Sequence, residues 1–326
     1  MKKFFRRLFT FLIILFVLGA VGIYAMLSGT LDKINIIDND EVVTVAPEEE
    51  NFETEDGTSY TGTTMKPESI TVKKVQPIVA DNLINILLVG QDRQPGQGRQ
   101  RSDTMILCSY NPETNEVSLI SFLRDLYVSI PGGYSNNRLN AAYAFGGFPL
   151  LYNTLKENFG VTVNGGVEVD FGGFIELVDL IGGVDIYLTA KEAPYVASSC
   201  TEGVNHLNGR KALNYARIRK IDSDFGRTNR QRTLILAVFE KLRHSDINTL
   251  TNLVNTAASM VTTDMTKGSI TSLVTAFLPK IATLKINTYA VPFDGSYKST
   301  YVRGMAVLVP QNEVIREKLA SEYLPI

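Results

Sequence analysis

Between Leu8 and Leu27 the chain runs through 20 residues without a charge. At 1.5 Å per residue a helix of that length measures about 30 Å, the thickness of one hydrocarbon core. The run exceeds the roughly 7–15 apolar residues of a cleaved signal peptide, and no cysteine follows it closely, so an uncleaved transmembrane anchor is expected. Lys2, Lys3, Arg6 and Arg7 precede it. By the positive-inside rule residues 1–7 stay cytoplasmic and everything after Leu27 lies outside the cell.

Apolar periodicity then lapses. Residues 28–80 carry Asp38, Asp40, Glu41, Glu48–Glu50, Glu53, Glu55 and Asp56 among Thr, Ser and Gly, a composition that predicts a flexible extracellular stalk, with order returning near Ile70–Val79. From Asp81 the pattern changes. Leu83–Gly90 is a near-continuous apolar run ending in glycine, which predicts a central strand buried on both faces. Further strands are predicted at Thr104–Tyr110, Val117–Phe122, Tyr127–Ile130, Val184–Leu188 and Ile286–Val291. Helical spacing occupies Leu150–Phe159, Phe174–Ile181, Asn208–Ala216, Arg227–His244, Ile247–Met260 and Ile270–Leu278. Strands alternating with helices predict an α/β domain over residues 81–326, layered α-β-α around a central mixed sheet. Turns are expected at Gly132-Gly133, Gly146-Gly147, Gly165-Gly166 and Gly182-Gly183.

Charge changes the picture at one place. The chain as a whole is balanced, with 32 basic and 34 acidic residues, but Tyr215–Arg232 gathers Arg217, Arg219, Lys220, Arg227, Arg230 and Arg232. Asp224 is placed to cap a helix beginning near Phe225, along which Gln231, Leu234, Ile235, Val238 and Leu242 recur. Arg227 and Gln231 stand four apart on the stripe that becomes apolar a turn later, so both side chains are expected to face inward. Arg217 and Arg219 flank Ile218 and would point the same way from an extended segment. Guanidinium groups at a helix N-terminus favour an anion, phosphate above all; the competing reading is a solvated helix start with Arg–Asp pairs.

The loop after the first predicted strand holds Asp92, Arg93, Arg99, Arg101 and Asp103, and the third predicted strand ends in Arg124-Asp125. Strand ends of an open α/β sheet form ligand crevices. Asp92 and Asp103 offer hard oxygen ligands for Mg²⁺ or Mn²⁺; an Asp–Arg ion-pair network is the alternative. Other chemistries lack their residues. Gly96-x-Gly98 has no third glycine at the spacing of a dinucleotide fingerprint. His206 and His244 are the only histidines, one in a loop and one at a helix end, and both are read as structural and not as the base of a catalytic triad; Cys and His together are too few for a Cys/His zinc site. Cys108 in a strand and Cys200 in a loop are read as unpaired. An outward-facing main domain excludes nucleic acid as partner and disfavours cytosolic nucleotides.

Asp92-Arg93, Arg101–Leu107 (RSDTMIL), Ser121–Asp125 (SFLRD), Asn137–Gly147 (NRLNAAYAFGG), Val169–Leu188 and Leu207–Arg232 together resemble the LytR-CpsA-Psr family across most of Asp81–Leu278. The resemblance implies a bacterial cell-envelope enzyme with one N-terminal membrane helix. Its expected reaction moves a glycopolymer, such as wall teichoic acid or capsule, from undecaprenyl pyrophosphate to peptidoglycan through a phosphodiester bond. It implies Asp92 and Asp103 as Mg²⁺ ligands and Arg101, Arg124, Arg217, Arg219, Arg227 and Gln231 as the pyrophosphate grip. Arg124 and Asp224 become the catalytic pair, with Asp224 assisting the acceptor. The lipid needs an apolar slot, for which Leu150–Phe159 and Phe174–Ile181 are the candidate walls. A lipid-pyrophosphate hydrolase, or a non-catalytic envelope regulator of the transcriptional-attenuator type, are the alternatives.

Overall fold

The computed structural model describes residues 29, 31–37, 64–66, 69–91, 99–218, 221–222, 224–245 and 247–326. The expected anchor Leu8–Leu27, the basic residues before it, and the candidates Asp92 and Arg219 lie outside the described residues. Among the described residues no helix is long and apolar enough to cross a membrane.

In chain order the strands are β1 (Asn35–Ile36), β2 (Ile84–Gln91), β3 (Ser102–Asn111), β4 (Glu116–Phe122), β5 (Tyr127–Val128), β6 (Asn137–Arg138) and β7 (Gly165–Asp170). They continue with β8 (Val184–Leu188), β9 (Gly203–Leu207), β10 (Thr262–Thr263), β11 (Lys285–Val291), β12 (Tyr297–Val302) and β13 (Met305–Pro310). The helices are α1 (Leu139–Phe159), α2 (Phe171–Leu180), α3 (Ala193–Val196), α4 (Gly209–Ala216), α5 (Asp224–Arg243), α6 (Ile247–Ala257), α7 (Lys267–Phe277) and α8 (Asn312–Lys318).

Among the described residues seven strands form one sheet in the order β1-β10-β7-β2-β3-β4-β11. It is mixed: β2 pairs parallel with β7 and antiparallel with β3, and β4 pairs parallel with β11. Alternate residues of its central strands feed two cores, as a period of two requires. Leu87, Val89, Met105, Leu107 and Ile120 pack with Tyr143, Phe148, Leu151, Leu155 and Phe159 of α1. On the opposite face Ile106, Tyr110, Val117 and Leu119 meet Ile235, Leu236 and Phe239 of α5 and Phe277 of α7. The expected α-β-α layering around a central mixed sheet is therefore present.

Gly165-Gly166 is not a turn. It opens the central strand β7, opposite Ile86 and Leu87 of β2, and its glycines answer crowding on both faces. A Cβ on Gly165 would lie 2.3 Å from Met265 Cγ, and one on Gly166 would lie 2.3 Å from Phe148 Cε1 and 2.4 Å from Tyr152 Oη. Only a residue without a side chain admits both approaches. Gly146-Gly147 is a kink inside α1, where Gly147 takes φ +60° and Pro149 follows.

Three other expectations change. The strand expected at Tyr127–Ile130 shrinks to Tyr127–Val128. Val184–Leu188 is a strand, but it pairs with Gly203–Leu207 in a separate hairpin over a second core that includes Val178, Leu207, Ala212 and Leu234. Described parts of residues 28–80 pack on the domain instead of standing apart as stalk. Leu31 is buried with Ile86, Met265 and Ile270, and Asn35–Ile36 extends the sheet beside Thr262–Thr263. Order near Ile70–Val79 is as expected: Val75 and Ile78 bond through their backbone N–H to Glu157 and Gly160, and Ile70 joins Tyr127, Val302, Met305 and Val307.

Candidate functional site

The antiparallel β2/β3 pairing sets Gly90 opposite Thr104 and Gln91 opposite Ser102, while the parallel β2/β7 pairing sets Gln91 beside Asp170. The carboxyl ends of β2 and β7 and the start of β3 thus share one end of the sheet, where open α/β sheets form crevices. Gln91 is fully buried there, and its Oε1 accepts from the Gln100 backbone N–H at 2.6 Å. This bond joins the two flanks of the loop that carries Asp92 in sequence.

Asp103, on β3, accepts from Arg124 Nη1 at 2.7 Å. Arg124 follows β4 directly; it is 7% exposed, and its backbone carbonyl accepts from Asn140 N–H at the start of α1. Its Nε lies 3.7 Å from Asp224 Oδ1 and 3.8 Å from Asp125 Oδ1. Asp125 in turn meets Arg138 Nε at 3.3 Å, and Asp224 pairs with Arg227 one turn along α5. Three carboxylates and three guanidinium groups interleave, so no charge in this buried group stands alone. Removing one partner from such a buried pair typically costs about 3–5 kcal/mol.

Asp224 is the first residue of α5 in the structure and not the cap ahead of it. Burial is the main influence on its carboxyl and raises its pKa above the ordinary value. Arg227 and Arg124 oppose that shift, while Asp125 and Asp103 add to it. Its Oδ2 is buried and has no hydrogen-bond partner among the described residues.

A cavity of about 350 Å³ runs from this cluster between the sheet and helices α2, α4 and α5. Its polar lining is Asp103, Thr104, Asp170, Arg217, Arg227 and Gln231; its apolar lining includes Leu88, Ile106, Val167, Phe174, Leu234 and Val238. The register along α5 orders the two: Arg227 and Gln231 come first, and Leu234, Ile235 and Val238 follow on the same face, as a 3.6-residue repeat demands. One end of the cavity carries the charged groups, two guanidinium groups and two carboxylates, and the rest is mostly hydrocarbon.

Arg227 and Gln231 face inward as their spacing predicts, and Arg227 is only 3% exposed. Arg217 does not lie in an extended segment. It caps the C-terminus of α4, and its Cζ sits 4.6 Å from the Phe171 ring centroid, a cation–π contact that aims it toward the cavity from the α2 side. Arg101 stands half-buried just ahead of β3. The expected apolar slot is half right: Phe174 and Leu177 of α2 line the cavity, whereas residues 150–159 of α1 pack on the other face of the sheet.

Sequence reasoning passed over Arg138 and Phe171, whose partners become neighbours only through the fold, and it did not separate Arg230 from its neighbours. Cys108 and Cys200 are unpaired, as expected.

The chain is similar to known proteins in sequence and in fold. Over 178 residues, 53% of this chain and 55% of the relative, the protein is 36% identical to the polyisoprenyl-teichoic acid–peptidoglycan teichoic acid transferase TagU of Bacillus cereus. It is 33% identical over 224 residues to the TagU of Oceanobacillus iheyensis, covering 65% of this chain and 69% of that one. The chain thus spans about half the length of the first of these curated relatives. The crystal structure of B. subtilis TagV superposes with a TM-score of 0.59 at 26% identity, covering 76% of this chain and all of that one. The model of the LytR_cpsA_psr family matches residues 51–320, and the chain belongs to that family.

Proposed function

We propose that this protein is a membrane-anchored phosphotransferase that moves a glycopolymer from a polyprenyl pyrophosphate carrier, undecaprenyl in the bacterial envelope, to peptidoglycan. One observation carries the reading: an apolar cavity whose polar lining holds Arg227 and Gln231 on the first turns of α5, Arg217 at the C-terminus of α4, and Asp103 and Asp170 on β3 and β7. A pyrophosphate with a hydrocarbon tail is the ligand whose two halves need these two environments together. The relatives named for polyisoprenyl-teichoic acid transfer support the same class of donor and acceptor. The anchor Leu8–Leu27, its basic flank and an outward-facing domain belong to this reading.

Arg217 and Arg227, with Arg101, Arg124 and Arg219 brought in by the same reading, bind the non-bridging oxygens and offset charge that develops on them. Asp224 holds the acceptor's proton. A sugar hydroxyl attacks the sugar-linked phosphorus, a new P–O bond forms as the bridging P–O bond breaks, and polyprenyl phosphate departs. The hydroxyl proton passes to Asp224, whose burial-raised pKa and unpartnered Oδ2 suit it to receive one.

Among the described residues no cluster of three or more His, Cys, Asp or Glu groups could hold a metal ion. Magnesium needs only one or two carboxylates when substrate phosphate and water complete its shell. Asp103, a hard oxygen donor on the cavity wall, fits that pattern, with Asp92 as the second carboxylate. Bound there, the ion would supply further neutralisation of the pyrophosphate.

The test is transfer itself. Full-length protein in detergent is incubated with Mg²⁺, a lipid-pyrophosphate glycan and peptidoglycan oligomers, beside Arg227→Ala and Asp103→Ala variants. Glycan joined to peptidoglycan by the wild type and lost in both variants is expected. Release of glycan phosphate without transfer would make the enzyme a hydrolase, and equal activity in all three proteins would overturn the site.

A further inference from the structure

Arg230 follows Arg227 by three residues and precedes Gln231, yet it is absent from the cavity wall those two help to form. It is 3% exposed, and its fork closes elsewhere. Nη1 donates to Asp222 Oδ2 at 2.7 Å and Nη2 to Asp222 Oδ1 at 2.8 Å. Nη2 also donates to the Ile218 carbonyl at 2.7 Å, and Nη1 reaches Glu192 Oε1 at 3.4 Å. The Asp222 carboxylate is pressed against Gly226, where a Cβ would lie 2.2 Å from Oδ2. A side chain at 226 would force the Asp222 carboxylate to shift from this position. One side chain of α5 therefore grips both Ile218 and Asp222, two points on the segment that joins α4 to α5 and begins at Arg217.

We propose that Arg230 is a positioning residue for the anion site: by holding Ile218 and Asp222 to α5 it fixes Arg217 relative to Arg227 and Gln231. The inference rests on the polyprenyl pyrophosphate reading above. A bidentate arginine–carboxylate pair sets orientation as well as distance, and the bond to the Ile218 carbonyl adds a point of attachment four residues away. A segment held at one point can pivot; held at two, it cannot. With α5 carrying the cavity-facing Arg227 and Gln231 on one side and this clamp on another, both groups of cations share one rigid frame. Ordering the cations before the ligand arrives removes that entropy loss from binding. Lysine at 230 would keep the charge and lose the fork.

The experiment uses full-length protein in detergent and isothermal titration with farnesyl pyrophosphate and with farnesol. Wild type is compared with Arg230→Lys, Asp222→Asn, the double variant and Arg227→Ala. Each clamp variant is expected to weaken farnesyl pyrophosphate binding about tenfold, as loss of a charge-assisted pair would, while farnesol binding changes less than about twofold. The double variant should be no worse than the stronger single one, because both remove one device. A general loosening of the fold would weaken both ligands alike, and that result overturns the proposal. So does unchanged pyrophosphate affinity in the clamp variants when Arg227→Ala loses it. If Arg227→Ala also leaves it unchanged, the anion-site reading itself falls, and the clamp with it. Should Arg230→Lys fail to fold, Asp222→Asn, whose side chain is 37% exposed, carries the comparison.

Discussion

Arg124 and Asp103 meet at 2.7 Å, so the carboxylate proposed to hold magnesium is also the partner that keeps a buried arginine neutralised. On the proposed reading, an ion held at Asp103 would compete with Arg124 for the same carboxylate and leave that guanidinium free to meet the pyrophosphate. Metal and cation would then be coupled through one side chain.

Asp103→Asn should therefore do two things. Transfer should fall by about 10²–10³, the usual loss when one electrostatic stabiliser is removed, and the Mg²⁺ concentration for half-maximal rate should rise. A magnesium titration of initial rates checks this. A variant with wild-type magnesium dependence would show that Asp103 is not a metal ligand.

Asp224 predicts a pH-dependent stability. Its folded pKa is raised, chiefly by burial, so folding favours the protonated form. Below the ordinary carboxylate range the group is protonated folded and unfolded alike, and it costs nothing. As pH rises through the interval up to the raised folded pKa, the unfolded chain ionises more readily and stability is lost. Asp224→Asn cannot ionise, so its melting temperature should gain on the wild type as pH rises through that interval. Thermal melts at pH steps from about 3.5 upward measure the difference, and a gap that stays constant or narrows would contradict the environment described.

Val238→Trp should fill the apolar part of the cavity without touching its polar end. Farnesyl pyrophosphate binding is expected to weaken at least about tenfold, since a tail denied its slot forfeits several buried methylenes at roughly 0.8 kcal/mol each. Inorganic pyrophosphate binding should stay as it is. Equal losses for both ligands would mean that tail and anion do not occupy separate ends.

Gly166→Ala should destabilise the domain by about 1–3 kcal/mol, the usual cost of overpacking, because the new methyl must displace Phe148 or Tyr152. Gly133→Ala is no equivalent control despite its open surroundings, since its φ of +89° carries its own strain. Gly268→Ala, whose new Cβ would meet nothing closer than 3.9 Å, should leave the melt almost unchanged.

What could be read from the chain beforehand follows where each signal resides. The β2 run and the inward register of Arg227 and Gln231 depend on local periodicity, and both were legible. Gly165-Gly166 misled because a glycine pair advertises a turn equally well when its real cause is Phe148 and Met265 closing from two sides. The β12–β13 hairpin was missed: its strands are half exposed, and its turn takes positive φ at Arg303 as well as Gly304, a position arginine does not announce. Arg217 was assigned to an extended segment because two-residue spacing in a short Arg-rich stretch fits a strand, while the helix ending there is set by Asn208 capping Lys211 N–H nine residues upstream. The partnership of Arg124 with Asp103 and Asp224 spans 21 and 100 positions in sequence, and no local pattern carries it.

If Leu8–Leu27 is the anchor proposed above, Leu31, buried against Met265 and Ile270, limits how far the domain could travel from its end at Leu27. Four residues of fully extended chain reach about 14 Å at most. On that reading, a body on so short a leash would ride against the lipid surface and not swing above it. Its working height would be set by its own dimensions, and the acidic stretch that follows, whatever its length, would add nothing to its reach.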